Sequence, residues 1–266
     1  MILEKKVLLE RMTWEEVKEA VKESGGIAIV PLGSTEQNGP HLPLDVDTAP
    51  TVKVAIDAAK QAKVVVAPTI AYGSTKQNMD FPGTLTIRPT ILIEFVKDVV
   101  NSLITHGFDK IILLNGHGGN IPVLNIVAEE VVFQTGKFCC QVKCWELADL
   151  PAPKGTPSYD GHGGLMGTSH MLAIRPEDVY KDKYVDSKHE VELGDVGCCI
   201  WPPQKAPYYS TIPIPLMTGQ CVKYGHFGDP KYASAERGKK LLEESVKKLT
   251  KFITLLKSDE LKWRKK

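Results

Sequence analysis

The sequence predicts an α/β fold, a mostly parallel sheet covered by helices on both faces. Two observations carry this. Stretches of helical periodicity alternate with short apolar segments along the chain, the order that builds parallel sheets through crossover connections. The segments Ile27-Ala28-Ile29-Val30 and Lys110–Leu114 are continuous apolar runs rather than alternating ones, as expected of strands buried on both faces.

The elements follow in order. Thr13, with Glu16 three residues on, is a capping-box pattern, and Trp14, Val17 and Val21 then recur at helical spacing. Gly25-Gly26 supplies the stop, and the first strand begins at Ile27. A helix is expected from about Thr51 to Gln61 and a strand at Val64–Val66. Pro89-Thr90 opens a helix that carries Ile93, Phe95, Val96, Val99 and Leu103 and stops at Gly107. Lys110–Leu114 is the strongest strand. Asn120 is the expected cap of the next helix, with Pro122 in its first turn and Gly136 at its end. Phe138 to Trp145 reads as a strand, and a long amphipathic helix is expected from about Ala233 to Leu256.

The 266 residues suit one domain, residues 1–266. Pro-rich excursions lie near 147–165 (Pro151, Pro153, Pro157) and 201–225 (Pro202, Pro203, Pro207, Pro213, Pro215). Thirty-three Lys+Arg against 32 Asp+Glu leave a formal charge of +1. That balance offers no electrostatic footprint for nucleic acid or an anionic membrane. No stretch reaches the roughly 18–20 apolar residues that span a bilayer, and the start, MILEKKVLLE, has no apolar signal core. A cytoplasmic protein with a small-molecule substrate is the expectation. The six cysteines, Cys139, Cys140, Cys144, Cys198, Cys199 and Cys221, show no CxxC spacing. They read as reduced buried thiols, and a thiolate metal site is not expected.

In an open α/β sheet, ligands bind beyond the carboxyl ends of the strands. Two strands deliver polar clusters there. Gly33-Ser34-Thr35-Glu36-Gln37-Asn38-Gly39-Pro40-His41 and on to Asp47 follow the first, and Asn115-Gly116-His117-Gly118-Gly119-Asn120 follow Lys110–Leu114. Carboxylates with imidazole, and no thiolate, are a donor set for Zn²⁺, Mn²⁺ or Fe²⁺. Taken singly, Glu36, Asp47 and His117 also suit a solvated loop or a capping role. The Gly-rich turn at Asn115–Asn120 also suits a phosphate cradle, although it has neither a P-loop lysine nor a GxGxxG pattern.

Five ordered motifs then resemble the creatininase (creatinine amidohydrolase) family. Pro31–Thr48, PLGSTEQNGPHLPLDVDT, resembles its P-x-G-S-x-E-Q-H-G-P-H-L-P-x-x-T-D motif, and NGHGGN at Asn115–Asn120 its second motif. Phe81-Pro82-Gly83-Thr84 is similar to its FPGT. His162-Gly163-Gly164 followed by Thr168-Ser169 is similar to its H-x-G-x-x-E-T-S segment. Gly228-Asp229-Pro230 with Ala233–Gly238 resembles its C-terminal element. The resemblance implies a three-layer α/β/α, creatininase-like fold, a hexameric homo-oligomer, and hydrolysis of a C–N bond with one or two divalent metals.

Carried over residue by residue, the resemblance makes Glu36, Asp47 and His117 one complete metal site, with Asp47 as the bridge to a second ion where there is one. The second site departs from the pattern. Its His falls at Asn38, a weak ligand at most, its Glu at Gly119, and the Glu of the E-T-S segment at Gly167. A His often found before FPGT falls at Asn78. One tightly held ion is therefore expected, with the second weak or absent, and creatinine is not the expected substrate. The resemblance implies a catalytic role for His162, with His41 as second candidate, outer partner or replacement ligand. Thr75, Gln77, Asn78, Trp145, Gly118 and Gly119 are the expected substrate-facing groups. The readings carried forward are an amidohydrolase of a small polar cyclic substrate, a hydrolase opening a non-amide ring such as a polyol-derived cyclic diketone, and a non-catalytic ligand-binding relative.

Overall fold

The computed structural model describes residues 1–157, 160–188 and 216–258. Helix α1 spans Trp14–Ser24. Thr13 Oγ1 accepts from the Glu16 amide while the Glu16 carboxylate accepts from the Thr13 amide, so two N-terminal donors are satisfied. Gly25 closes it in the left-handed conformation at φ 65°. Trp14 differs from the expected core face. It is 67 % exposed, with the Lys18 ammonium 4.5 Å above its ring. At the first helical position it precedes the part of the helix that meets the sheet.

The remaining elements are β1 (Ile27–Leu32), α2 (Ala49–Ala62), β2 (Val65–Val66), α3 (Pro89–Thr105), β3 (Lys110–Asn115), α4 (Ile121–Thr135), β4 (Phe138–Lys143), α5 (Leu165–Ile174), a single turn α6 (Thr218–Cys221) and α7 (Ala235–Lys257). The strands form one parallel sheet in the order β2-β1-β3-β4. Strand alternation splits the core into two layers. Ala28, Val30, Ile111 and Leu113 face a cluster with Ala20, Leu92, Val96, Val100, Leu124 and Val127. Ile27, Ile29, Ile112 and Leu114 face Val54, Ala58, Leu242, Leu249 and Ile253. Helices α1, α3 and α4 thus cover one face and α2 and α7 the other, a three-layer α/β/α fold.

Pro31 sits inside the central strand, where a missing N–H normally breaks a ladder. Its carbonyl accepts from Ile70 N, on the side where β2 has already ended at Val66. N–H and C=O of one strand residue point the same way, so no ladder partner is lost there.

Two elements depart from expectation. The strand β4 ends at Lys143, and Trp145 lies on a 3-10 turn, Cys144–Glu146. Asn120 does not cap α4 through its side chain. Its amide bridges two loops instead, as described below. The Pro-rich run from Trp201 falls, up to residue 215, outside the described residues, as do Cys198 and Cys199. No helix among the described residues is long and apolar enough to cross a membrane.

Candidate metal centre

Leu32 and Asn115 are register partners, so the loops that leave β1 and β3 start side by side at one sheet edge. The β1 loop folds back on itself. Glu36 N donates to Leu44 O at 2.9 Å, and Thr48 Oγ1 to Ser34 O at 2.9 Å. That hairpin brings Glu36 and Asp47 together, and the β3 loop adds His117. The three offer ligand atoms that all lie within 4.8 Å of one another.

Glu36 and His117 are buried and Asp47 half-buried. His117 Nδ1 lies 2.8 Å from Asp47 Oδ2 and 3.3 Å from Glu36 Oε1. Ser34 Oγ also donates to Asp47 Oδ2, at 2.8 Å. The far nitrogen, His117 Nε2, donates to the Ser74 carbonyl at 3.1 Å. Glu36 Oε2 is occupied by two donors, Thr75 Oγ1 and Asn78 Nδ2, the latter at 3.0 Å. Glu36 Oε1 accepts no hydrogen bond although it is buried. It faces His117 and the Nδ1 of His162, 3.5 Å away. An unpartnered buried carboxylate oxygen is costly, and here it points at the convergence of two other donors.

The charges agree with that geometry. Burial pushes the His117 imidazole down, but the facing Glu36 and Asp47 carboxylates outweigh it and hold its pKa well above the ordinary value. Burial pushes Glu36 up, and the His117 and His162 rings more than offset this, leaving it below the usual carboxylate range. Burial and the Glu36 charge raise Asp47. Two carboxylates crowded together thus retain one proton on His117 as their counter-charge. An oxygen and nitrogen donor set, one unpartnered oxygen and a proton where a cation is needed all fit a divalent ion.

The other expected site residues divide. His162 lies beside the cluster. Its Nε2 donates to Gln37 O at 2.8 Å, so Nδ1 faces Glu36. Gln37 Nε2 is 3.4 Å from the same His162 nitrogen. Thr75 and Asn78, expected to face substrate, are both buried and direct their polar groups at Glu36. Asn78 Oδ1 accepts from Gln37 Nε2 at 2.8 Å and from Thr218 Oγ1 at 2.6 Å, which fixes the amide with its NH₂ toward Glu36. Gln77 is half-buried on the same turn, and Trp145 is half-buried on the 3-10 turn that follows β4. Gly118 and Gly119 form the 3-10 turn that follows His117. Asn38 Nδ2 donates to Glu36 O at 3.3 Å.

His41 stands apart from the cluster. It is fully buried, with Nε2 2.9 Å from Thr168 Oγ1 and its ring edge-on to Tyr184 and His226. Burial and the neighbouring His226 push it down to about 3, and burial pushes His170 down to about 4. The unfolded chain protonates both rings near pH ~6.5, so it binds more protons than the folded chain below that pH. Stability therefore falls as pH drops from about 6.5 toward about 4. His117 has the opposite sign, its stabilisation being complete below about pH 6.5 and lost only as pH rises through its raised folded value. Thermal melts of the metal-free protein across that acid window should fall steadily, and His41→Gln should flatten the slope. Unchanged melting would remove His41 as its source.

Sequence reading missed Ser34 and the Ser74 carbonyl. Ser34 lies inside the Gly-Ser-x-Glu motif and was legible as a neighbour of Glu36. A backbone carbonyl has no sequence signal.

Comparison with known proteins gives a consistent picture. A family model described as creatininase, creatinine amidohydrolase, matches residues 10–253. A mycofactocin precursor peptide peptidase from Mycolicibacterium smegmatis is 32% identical over 228 residues, 83% of this chain and 81% of the relative. A creatinine amidohydrolase from Pseudomonas putida is 28% identical over 92% of this chain and 95% of its own length. A 3-dehydro-scyllo-inosose hydrolase from Thermotoga maritima is 26% identical, covering 93% and 82%. A solved structure of a manganese form of creatininase superposes with a TM-score of 0.76 at 26% identity, over 94% of this chain and 98% of that one.

Proposed function

The chain belongs to the creatininase family of hydrolases, and from that premise we propose that it is a metal-dependent amidohydrolase acting on a small polar cyclic amide. The observation that carries this reading is the convergence of Glu36, Asp47 and His117 with the unpartnered Glu36 Oε1 turned inward. A divalent ion held by these three, Zn²⁺, Mn²⁺ or Fe²⁺, would acidify water and polarise a carbonyl.

The chain's own residues do the rest. Thr75 and Asn78 hold Glu36 Oε2, so only Oε1 turns toward the centre. Ser34 steadies Asp47. His162, with its Nε2 proton fixed on Gln37 O, presents a basic Nδ1 beside Glu36. There it takes a proton from the attacking water and returns it to the leaving nitrogen. One ion rather than two is supported by the residues at the second-site positions, Asn38 and Gly119. Titration of the metal-free chain with zinc should show one tight site per chain, and two equally tight sites would refute this.

The inosose hydrolase likeness supports a second reading, opening of a carbocyclic diketone at a C–C bond. Incubation of zinc-, manganese- and iron-loaded protein with small cyclic amides and polyol-derived diketones separates the readings. Opening a cyclic amide gives one product that carries a new amine as well as a new carboxylate, whereas opening the diketone gives a keto acid with no new amine. Turnover of neither, by a chain that binds no ion, would leave a ligand-binding relative. We also infer a single domain working in the cytoplasm as a homo-oligomer. Phe133 (80 % exposed) and Phe95 (50 %), apolar rings on the outer faces of α4 and α3, support self-association.

A further inference from the structure

We propose that Gly119 and the Ser74 carbonyl form a clamp that fixes which nitrogen of His117 faces the centre, and that the clamp closes the route a side chain at 119 would need to reach a second ion. The proposal rests on the metal-centre reading above.

Ser74 O lies 3.1 Å from His117 Nε2 and accepts its proton, which leaves Nδ1 toward Asp47 and Glu36. An outer acceptor of this kind sets the tautomer and aim of a ligating imidazole. The carbonyl can come this close because residue 119 has no side chain. A Cβ there would overlap Ser74 O and stand 2.6 Å from His117 Nε2 and 3.2 Å from its Cδ2. Gly119 is not among the residues with positive φ, so its backbone does not require glycine. Glycine is there for space.

The carbonyl also cannot retreat. Ser74 N donates to Asn120 Oδ1 at 2.9 Å, and Asn120 Nδ2 donates to Gly33 O at 3.0 Å, which ties the strap at Ser74-Thr75, between β2 and α3, to both the β1 and β3 loops. The next residue is held twice, Thr75 N by Thr86 Oγ1 at 3.0 Å and Thr75 Oγ1 by Glu36. This is why Asn120 does not cap α4. Its side chain anchors the strap that orients His117. At the position where the family pattern puts a glutamate, this chain has a hydrogen-bond acceptor for its single imidazole ligand where the first side-chain carbon would stand.

The test uses the full-length protein. In zinc-loaded protein labelled with ¹⁵N-histidine, His117 should carry its proton on Nε2 with zinc on Nδ1. The reverse arrangement overturns the clamp without any variant. Gly119→Ala should weaken zinc binding about 10–100-fold in competition with a chromophoric chelator, and the Nε2 proton should exchange faster. Asn120→Ala, which unpins the strap without adding an atom, should shift both readouts the same way, and circular dichroism shows that each variant is folded. Gly119→Glu should hold one zinc, more weakly. Folded variants that bind zinc as tightly as the native chain, or two zinc ions in Gly119→Glu, overturn the clamp alone. A native chain that takes up no zinc overturns the metal centre and the clamp with it.

Discussion

His117→Ala is expected to abolish metal binding and hydrolysis together. His117 is the only nitrogen donor of the trio, and its Nδ1 is the atom that approaches both carboxylates. Two carboxylates alone are a harder and more open site, so zinc affinity should fall by well over ~10²-fold, beyond the loss typical of an outer partner. The metal-free variant should also be less stable. The native chain balances Glu36 and Asp47 with the His117 imidazolium, and removing one member of a buried ion pair costs about 3–5 kcal/mol. The calorimetric melt of the metal-free variant should therefore drop, while the native metal-free chain stays folded. A variant that keeps one zinc per chain would remove His117 from the centre.

His162→Ala is expected to keep the ion and lose turnover. His162 is not one of the three converging ligands, and its Nδ1 stands 3.5 Å from Glu36 Oε1. Loss of a positioned proton carrier costs typically about 10²–10⁴-fold. Zinc stoichiometry should match the native chain while kcat falls by that range. An unchanged rate would take His162 out of the reaction. The two variants together separate holding the ion from moving the proton.

The sheet and its site edge were legible because their signals are local. Apolar runs at Ile27 and Lys110 mark β1 and β3, and the polar clusters after them mark the edge where Glu36, Asp47 and His117 meet. What was not legible is which partner each polar side chain takes. Asn120 has the right identity and position for a helix cap, but two neighbouring loops offer it an amide, Ser74 N, and a carbonyl, Gly33 O. Thr75 and Asn78 were expected to face substrate because the family resemblance puts substrate-facing polar groups at those positions, and tertiary packing turns them onto Glu36. Trp145 was read as the end of a strand that starts at Phe138, but the ladder ends two residues earlier, at Lys143. Gly119 reads in the sequence as a missing ligand, and the folded chain sets the Ser74 carbonyl where its Cβ would stand.

The crossover order of the sheet has a kinetic consequence. Glu36 and Asp47 follow β1, His117 follows β3, and α2, β2 and α3 lie between these paired strands along the chain. Closing so long a loop comes late on the way to the native state. A nascent or refolding chain therefore presents no nest for a cation, which cannot act as a template. Zinc should leave the refolding limb of a chevron where it is and lower the unfolding limb, so the ion acts as a latch on a finished molecule.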